Sequence, residues 1–459
     1  MKAFKLLILA AITILTIAIA TGCKLSVGTV DNLAIRPTYD REEMRLEDGI
    51  SKLLPLNTSF TFPSNSTEVG KINQVDLNGD GVKEVVAFKK LETIDEGKSN
   101  QVGFLVLSKG NEIYSHDDEE MIDGDSIEYA NFLDLRNDGK KEIVLTVKTK
   151  DKTNMYVYEF DNHKIKKLYD IVPEWVENKD SLTDLQVMAG HMNGDNNLDI
   201  LLVYLDPKTN KAYANIVNFV DGLTYKKPTV LENVKNISDM YLRYGDVSKQ
   251  PRKKGVVIDY PIINGSYYAT NILYLSTTGQ LEKVFNDNEI IKPYYIPIAD
   301  IDRDGVLEIP TNNVKYKSAV EANVCWYKWS GNSSTKVFVS QIYYNYKYNY
   351  KVSIPNKLAG NIIVEEELAS GKKQSYTTYK FYYYDSIDSK RKDLFSIIVE
   401  NKSSLDSKQK QVLGEGGEGF TLDENEHYVY MLTLNNVEEL KRLNLNMPMI
   451  KEYFSLMYK

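Results

Sequence analysis

One nine-residue pattern constrains what this chain can fold into more than any other feature. It reads Asp76-Leu77-Asn78-Gly79-Asp80-Gly81-Val82-Lys83-Glu84, with oxygen-bearing side chains at positions 1, 3, 5 and 9 and a glycine at position 6. Hard divalent cations, calcium above all, take roughly six to eight oxygen ligands. Alternate side chains of a tight loop converge on one such ion, and glycine permits the sharp bend. An EF-hand closes with an acid at position 12 and is flanked by helices. Here the acid comes at position 9, and both flanks, Ile72-Asn73-Gln74-Val75 and Val85-Val86-Ala87-Phe88, read as strands. The pattern predicts a metal loop inside a β-hairpin.

It recurs. Further copies begin at Asp134, His191 and Asp300, each running into an apolar stretch. Successive first positions lie 58, 57 and 109 residues apart. The doubled last interval predicts a worn copy in the middle, which Gly245-Asp246-Val247-Ser248 followed by Gly255-Val256-Val257-Ile258 supplies. Five copies at near-constant spacing make an internal repeat.

After each loop come two or three more β-rich runs, such as Val102–Leu107, Met155–Phe160, Ala212–Phe219 and Thr270–Leu275. Four short strands per period suit a propeller blade, because radial repetition leaves only short, protected edges. The loops resemble the FG-GAP/VCBS-type repeats of integrin-α-like β-propellers, whose blades carry calcium loops of the form DxDxDGxxD/E. The resemblance spans roughly residues 58–350 and implies a β-propeller of about five recognisable four-stranded repeats, with closure to six or seven blades left open. Beyond Tyr350 the period is lost. Residues 351–459 read as a small α+β domain, with a helix capped by Asn436 and a last helix from Pro448 carrying Ile450, Tyr453, Phe454 and Met457. The rival reading gives some of its strands to a sixth or seventh blade.

The N-terminus predicts export. Lys2 and Lys5 precede an apolar run from Leu6 to Ala20 and then Ala20-Thr21-Gly22-Cys23, a secretory signal too short for a comfortable membrane span. The end of this segment resembles the lipobox of bacterial lipoproteins. That implies a leader over 1–22, a diacylated Cys23 as mature N-terminus and tethering to the outer face of a membrane, since two acyl chains hold stably where one does not. Residues 23–57 then comprise the lipidated cysteine, a tether and a short helix opened by Asp40 and Glu43 and stopped at Pro55.

Of 56 basic and 64 acidic residues, only Lys2 and Lys5 lie in the leader, so the mature chain is acidic and lacks the long basic stripe of a nucleic-acid binder. The short basic run Lys249 to Lys254 reads as a solvated turn. With Cys23 lipidated, Cys325 is left alone and reads as a buried core thiol.

The loops are not equal. Two are complete: Asp76, Asn78, Asp80 and Glu84 with the Val82 carbonyl, and Asp300, Asp302, Asp304 and Glu308 with the Val306 carbonyl. Both are expected to hold structural Ca2+. A third, His191, Asn193, Asp195 and Asp199, is a weaker site because imidazole is a poor ligand for a hard cation. In the fourth, Arg136 stands among Asp134, Asp138 and Glu142, so its guanidinium replaces the metal through charge-assisted hydrogen bonds. A metal saturated by protein oxygens stiffens hairpins and offers no open position for Lewis-acid chemistry.

No catalytic motif is found. The four histidines, His116, His163, His191 and His427, fall in no GxSxG or HExxH pattern. Gly414-Glu415-Gly416-Gly417-Glu418-Gly419 matches GxGxxG, yet its two glutamates repel pyrophosphate and no apolar helix follows. Alternation places Tyr344, Tyr346, Tyr348 and Tyr350 on one strand face, covering the joint to the C-terminal domain or offering an aromatic surface. The expectation is a lipid-anchored, extracytoplasmic, non-enzymatic module that binds or scaffolds a protein or glycan. The alternative is a cell-surface hydrolase acting on glycan or phosphoester through a carboxylate pair.

Overall fold

The computed structural model describes residues 46–457 except 48, 53, 65–68, 93–98, 110–113, 151, 172–183, 207–208, 233, 263–264, 266, 287–288, 293–294, 313–322, 368–375, 386–389 and 405–419. The leader, Cys23, the tether, Asp40, Glu43 and the GxGxxG segment lie outside the described residues. The chain divides into two compact units, Met1–Leu56 and Asn57–Lys459. In the first, residues 46–47 and 49–51 are helical. Among the described residues no helix is long and apolar enough to cross a membrane.

The second unit is mainly β, and its described residues form six antiparallel sheets that follow one another in the chain, save for one C-terminal strand that returns to the fifth. The second is the plainest: Ser126–Leu133, Glu142–Lys148, Thr153–Asp161 and Lys164–Ile171 pair in sequence order. The first sheet centres on Glu84–Leu91 and Gln101–Lys109, the third on Asp199–Asp206 and Lys211–Asn218, and the fourth on Arg252–Ile262 and Tyr267–Leu275. The fifth runs from Ile309–Asn312 through Asn323–Trp329 and Lys336–Asn345 to Tyr350–Ile354.

Their central strands are apolar without alternation because both faces are covered, a pattern that strands buried on both sides require. Successive side chains point to opposite faces, so one strand serves two cores. Ile143 and Leu145 pack with Val86, Phe88 and Phe104 of the first sheet. Their neighbour Val144 packs with Ile200 and Leu202 of the third. Leu201 and Val203, in turn, pack with Ile258 and Tyr260 of the fourth sheet. Val257 continues the series against Ile309 and Trp329 of the fifth. The sheets are thus stacked face to face in chain order. A one-residue slip in any central strand would exchange its two cores.

The sixth sheet, ordered Ile362–Glu367, Tyr376–Asp385, Lys390–Asn401, Tyr428–Leu434 and Phe420–Glu424, shares a core with the fifth. Tyr343, Tyr350, Tyr379, Phe381, Ile397 and Phe454 lie together in it. The tyrosines at 344–350 do not form one strand face. Lys336–Asn345 ends in a turn over 346–349, where Asn349 is left-handed (φ 55°) and Asn345 Oδ1 accepts from the Tyr348 backbone N–H. Tyr350 is therefore buried, whereas Tyr346 is 62% exposed.

Two short helices close the chain. Helix α1 (Val437–Arg442) is capped by Asn436, whose side chain accepts from Glu439 N. Helix α2 (Met447–Tyr453) is capped by Asn446. Contrary to the sequence expectation, α2 does not continue through Phe454 and Met457. Phe454 turns extended, and Phe454–Leu456 adds an antiparallel strand to Tyr350–Ile354. The stacking of Phe454 on Tyr350, ring centroids 5.4 Å apart, shows what outweighs local helical periodicity. Cys325 is a buried free thiol.

Candidate cation loops

The five loops lie at one end of the first five sheets and touch in chain order. Lys141 N donates to Leu77 O (2.9 Å), Asn137 Nδ2 to Asn197 Oδ1 (3.1 Å), Tyr244 Oη to His191 O (3.1 Å) and Leu307 N to Asp246 O (2.8 Å). The second residue of each of the first four loops anchors it. Leu77, Leu135, Met192 and Val247 are buried, each in a different inter-sheet core.

The acids first shape the loop itself. Asp76 accepts from Gly79 N and Gly81 N at 2.8 and 2.9 Å. Asp134 and Asp300 share the bond from position 6 but take their other from position 5, accepting from Asp138 N and Gly139 N, and from Asp304 N and Gly305 N. At position 5, Asp80, Asp138, Asp195 and Asp304 each cap the N–H two residues on. At position 9, Glu84, Glu142, Asp199 and Glu308 each accept from the N–H of position 2. Position 6 is left-handed where it is glycine (Gly81 φ 86°, Gly139 φ 85°, Gly305 φ 88°), and so is position 4, filled by Gly79, Asn137, Gly194 and Arg303. The bend at position 4 was not legible in the ligand pattern, although Gly and Asn there are its signal.

All four closing acids are buried, and burial raises the carboxyl pKa of each. In Glu308 it rises to about 7 despite the nearby Lys328 ammonium. A cation or a proton relieves such a group.

What supplies positive charge differs from loop to loop. In the second sheet Arg136 Nε donates to Glu142 Oε1 at 2.7 Å, and its Nη2 lies 3.1 Å from Glu159 and 3.4 Å from Asp138. In the fourth, the place of the closing acid is taken by Lys254. Its ammonium is 3.0 Å from Asp246, and Arg252 Nη2 is 2.8 Å from the same carboxylate. Burial would raise the Asp246 pKa, but these two cations hold it below the usual range. The basic run expected to be a solvated turn is therefore partly drawn into the fold. Lys253 Nζ also sits over the rings of Tyr274 and Trp329, 4.4 and 4.8 Å from their centroids.

In the fifth loop, oxygens of Asp300, Asp302, Asp304 and Glu308 lie within 4.8 Å of one another, an acidic group that could hold a metal ion. Lys328 reaches it from Asn323–Trp329, with Nζ 2.7 Å from Asp302, 2.7 Å from Asp304 and 3.3 Å from Glu308. In the third loop His191 Nδ1 lies 2.9 Å from Asn197 O, so that nitrogen donates to a carbonyl. Asp199 accepts from Met192 N on one oxygen and from Asn218 Nδ2 on the other. Within the first loop Asn78 and Asp80 bond to each other. Among the described residues, Asp76, Asp80 and Glu84 are not drawn together into an acidic group like that of the fifth loop; their oxygens accept from backbone N–H groups of the loop.

The residue across the ladder from position 9 lies on the same face as the closing acid, since paired residues share a face. Asn218 pairs with Asp199, and continuing the register one residue past Val85–Leu107, Ile143–Tyr158 and Ile309–Tyr327 sets Ser108 across from Glu84, Glu159 across from Glu142 and Lys328 across from Glu308.

No family model and no curated protein matches the chain. Among solved structures it is similar to a protein from Lactobacillus plantarum, at 9% identity and a TM-score of 0.30 over 68% of this chain and 87% of that one. It is also similar to an arginine-to-alanine triple mutant of AofleA from Arthrobotrys oligospora, at 11% identity and a TM-score of 0.28 over 74% and 90% of the two chains. Likeness at this level carries no argument about fold or function.

A second feature lies among the opening strands of the sheets. Residues of Ser126–Leu133, Leu185–Gly190 and Tyr241–Lys249 border one cavity of about 730 Å³, lined by Tyr129, Asn131, Gln186, Met188, Asp239 and Tyr241 among others. Tyr241 is exposed on one side and stacks on Tyr295 with ring centroids 3.8 Å apart.

Proposed function

We propose that this chain is an extracytoplasmic lipoprotein, anchored through Cys23, whose stacked sheets form a β-propeller that binds or scaffolds a glycan or protein. The carrying observation is the convergence of three opening strands on one cavity. In a propeller the innermost strand of each blade faces the central channel, and the loops touching in chain order at one end suit the same arrangement. The cavity mixes aromatic faces with amide and carboxylate groups, the lining expected of a specific ligand site. Calcium is the proposed ion. Asp76, Asn78, Asp80 and Glu84 would hold it, and when bound it supplies charge compensation to the buried Glu84 and stiffness to the first hairpin.

The reading is tested by glycan-array binding and by crosslinking on whole cells, with the full anchored chain and its Tyr129→Ala/Tyr241→Ala variant. A defined glycan or a reproducible protein partner that the variant loses, with its thermal melt unchanged, supports the proposal. Equal capture by both proteins removes the cavity from it, and turnover of a captured glycan moves the reading to a hydrolase.

A further inference from the structure

We propose that Lys328 is the resident cation of the fifth loop, so that its four acids exclude a divalent ion although they match the ligand pattern most fully. The Lys328 ammonium reaches three of the four carboxylates, two of them at 2.7 Å, and so stands where an ion would have to sit. Lys328 belongs to the strand Asn323–Trp329, and its side chain is only 17% exposed.

Comparison across the repeats makes the placement more than an accident of one side chain. Opposite the closing acid stand neutral residues in the first and third sheets, Ser108 and Asn218, and charged ones in the second and fifth, Glu159 and Lys328. The charges are exchanged. The second loop has its cation at position 3, Arg136, and an acid across the ladder. The fifth has an acid at position 3, Asp302, and its cation across the ladder. Either arrangement puts one fixed positive charge among the loop acids. The first loop has neither, and Ser108 donates to Asp117. A mobile ion is therefore needed in the first loop and redundant in the fifth. The statement about the first loop rests on the calcium reading above; the statement about Lys328 does not.

Calcium bound per chain, measured by equilibrium dialysis on the full-length protein, tests this. Lys328→Ser, which copies the first sheet, is expected to bind one calcium more than the parent. Asp302→Ser/Asp304→Ser is expected to leave the parent's calcium number unchanged and to remove the added ion from Lys328→Ser. Ser108→Lys, the reciprocal exchange, is expected to lose the ion of the first loop. A parent that loses a calcium with Asp302→Ser/Asp304→Ser overturns the proposal, and so does a folded Lys328→Ser that gains none. If Lys328→Ser fails to fold, the variant of the parent loop still decides. A parent that binds no calcium beside a Lys328→Ser that binds one upholds the role of Lys328 and removes calcium from the first loop.

Discussion

Glu159 and Lys328 occupy the same place in their sheets, one residue past the ladder pairs Ile143–Tyr158 and Ile309–Tyr327 and so across from the closing acid of a loop, and carry opposite charge. Each is matched by the residue at loop position 3. Arg136 lies 3.1 Å from Glu159, and Lys328 lies 2.7 Å from Asp302. The repeats thus conserve the charge balance of the loop while moving its parts. A loop that keeps its acids is relieved by a cation from a side chain or from solution, or by a proton, because a buried unpaired carboxylate is costly.

Arg136 is accordingly expected to be structural. Arg136→Ala leaves the buried Glu142 with its Leu135 N–H bond but without a cation. Losing a partner at a buried acceptor costs about 1–3 kcal/mol. Chemical denaturation in chelator and in calcium should show that loss in both. A loss fully restored by calcium would mean that the ion and the guanidinium are interchangeable in that loop.

Calcium should act through the first loop. A melt of the full chain with excess calcium and with chelator should differ, and Asp76→Ala/Asp80→Ala should remove most of the difference. At ten times the dissociation constant one site contributes about 1.4 kcal/mol by mass action. Coincident curves would leave the loop as a turn held by its own hydrogen bonds.

Much of this was legible from sequence. The loop pattern and its spacing locate all five hairpins, including the worn one, and a guanidinium at position 3 marks the second loop as self-neutralised. The facing residues were not legible. Ser108, Glu159, Asn218 and Lys328 follow their closing acids by 24, 17, 19 and 20 residues, because the intervening hairpins differ in length, so no fixed spacing reveals them. Phe454 escaped for a different reason. Ile450, Tyr453, Phe454 and Met457 fit a helical period, but pairing of Phe454 with Val352 and stacking on Tyr350 come from a strand about a hundred residues away, and tertiary context overrides propensity. The basic run is drawn in by Asp246, 3.0 Å from Lys254 and 2.8 Å from Arg252, a pairing across the strand turn that a run of like charges does not itself reveal.

Cys325 should be chemically silent in the folded state. Burial pushes its thiol up to about 11, so the reactive thiolate is scarce at neutral pH and the sulfur is shielded as well. In full-chain Cys23→Ser protein, where Cys325 is the only thiol, a disulfide reagent should label it slowly until denaturant is added. Rapid labelling without denaturant would place Cys325 at a surface or in an opening segment.

Outside the loops, Asp259 and Lys292 are both fully buried and lie 2.7 Å apart in the fourth sheet. Asp259 also accepts from Thr270, while its other oxygen is without a hydrogen-bond partner. Burial raises the carboxyl pKa of Asp259 and lowers the ammonium pKa of Lys292, each partner opposing the shift of the other. Removing one member of a buried pair typically costs about 3–5 kcal/mol, whereas replacing both by apolar residues of similar volume is often neutral. Lys292→Met is therefore expected to destabilise the protein by about that amount, and Asp259→Leu/Lys292→Met to recover most of it. Urea titrations of the two single variants and the double variant measure the coupling directly. Additive losses would show that the two charges are stabilised independently, by Thr270 and by the Ile296 carbonyl 3.4 Å from the ammonium, and not chiefly by each other.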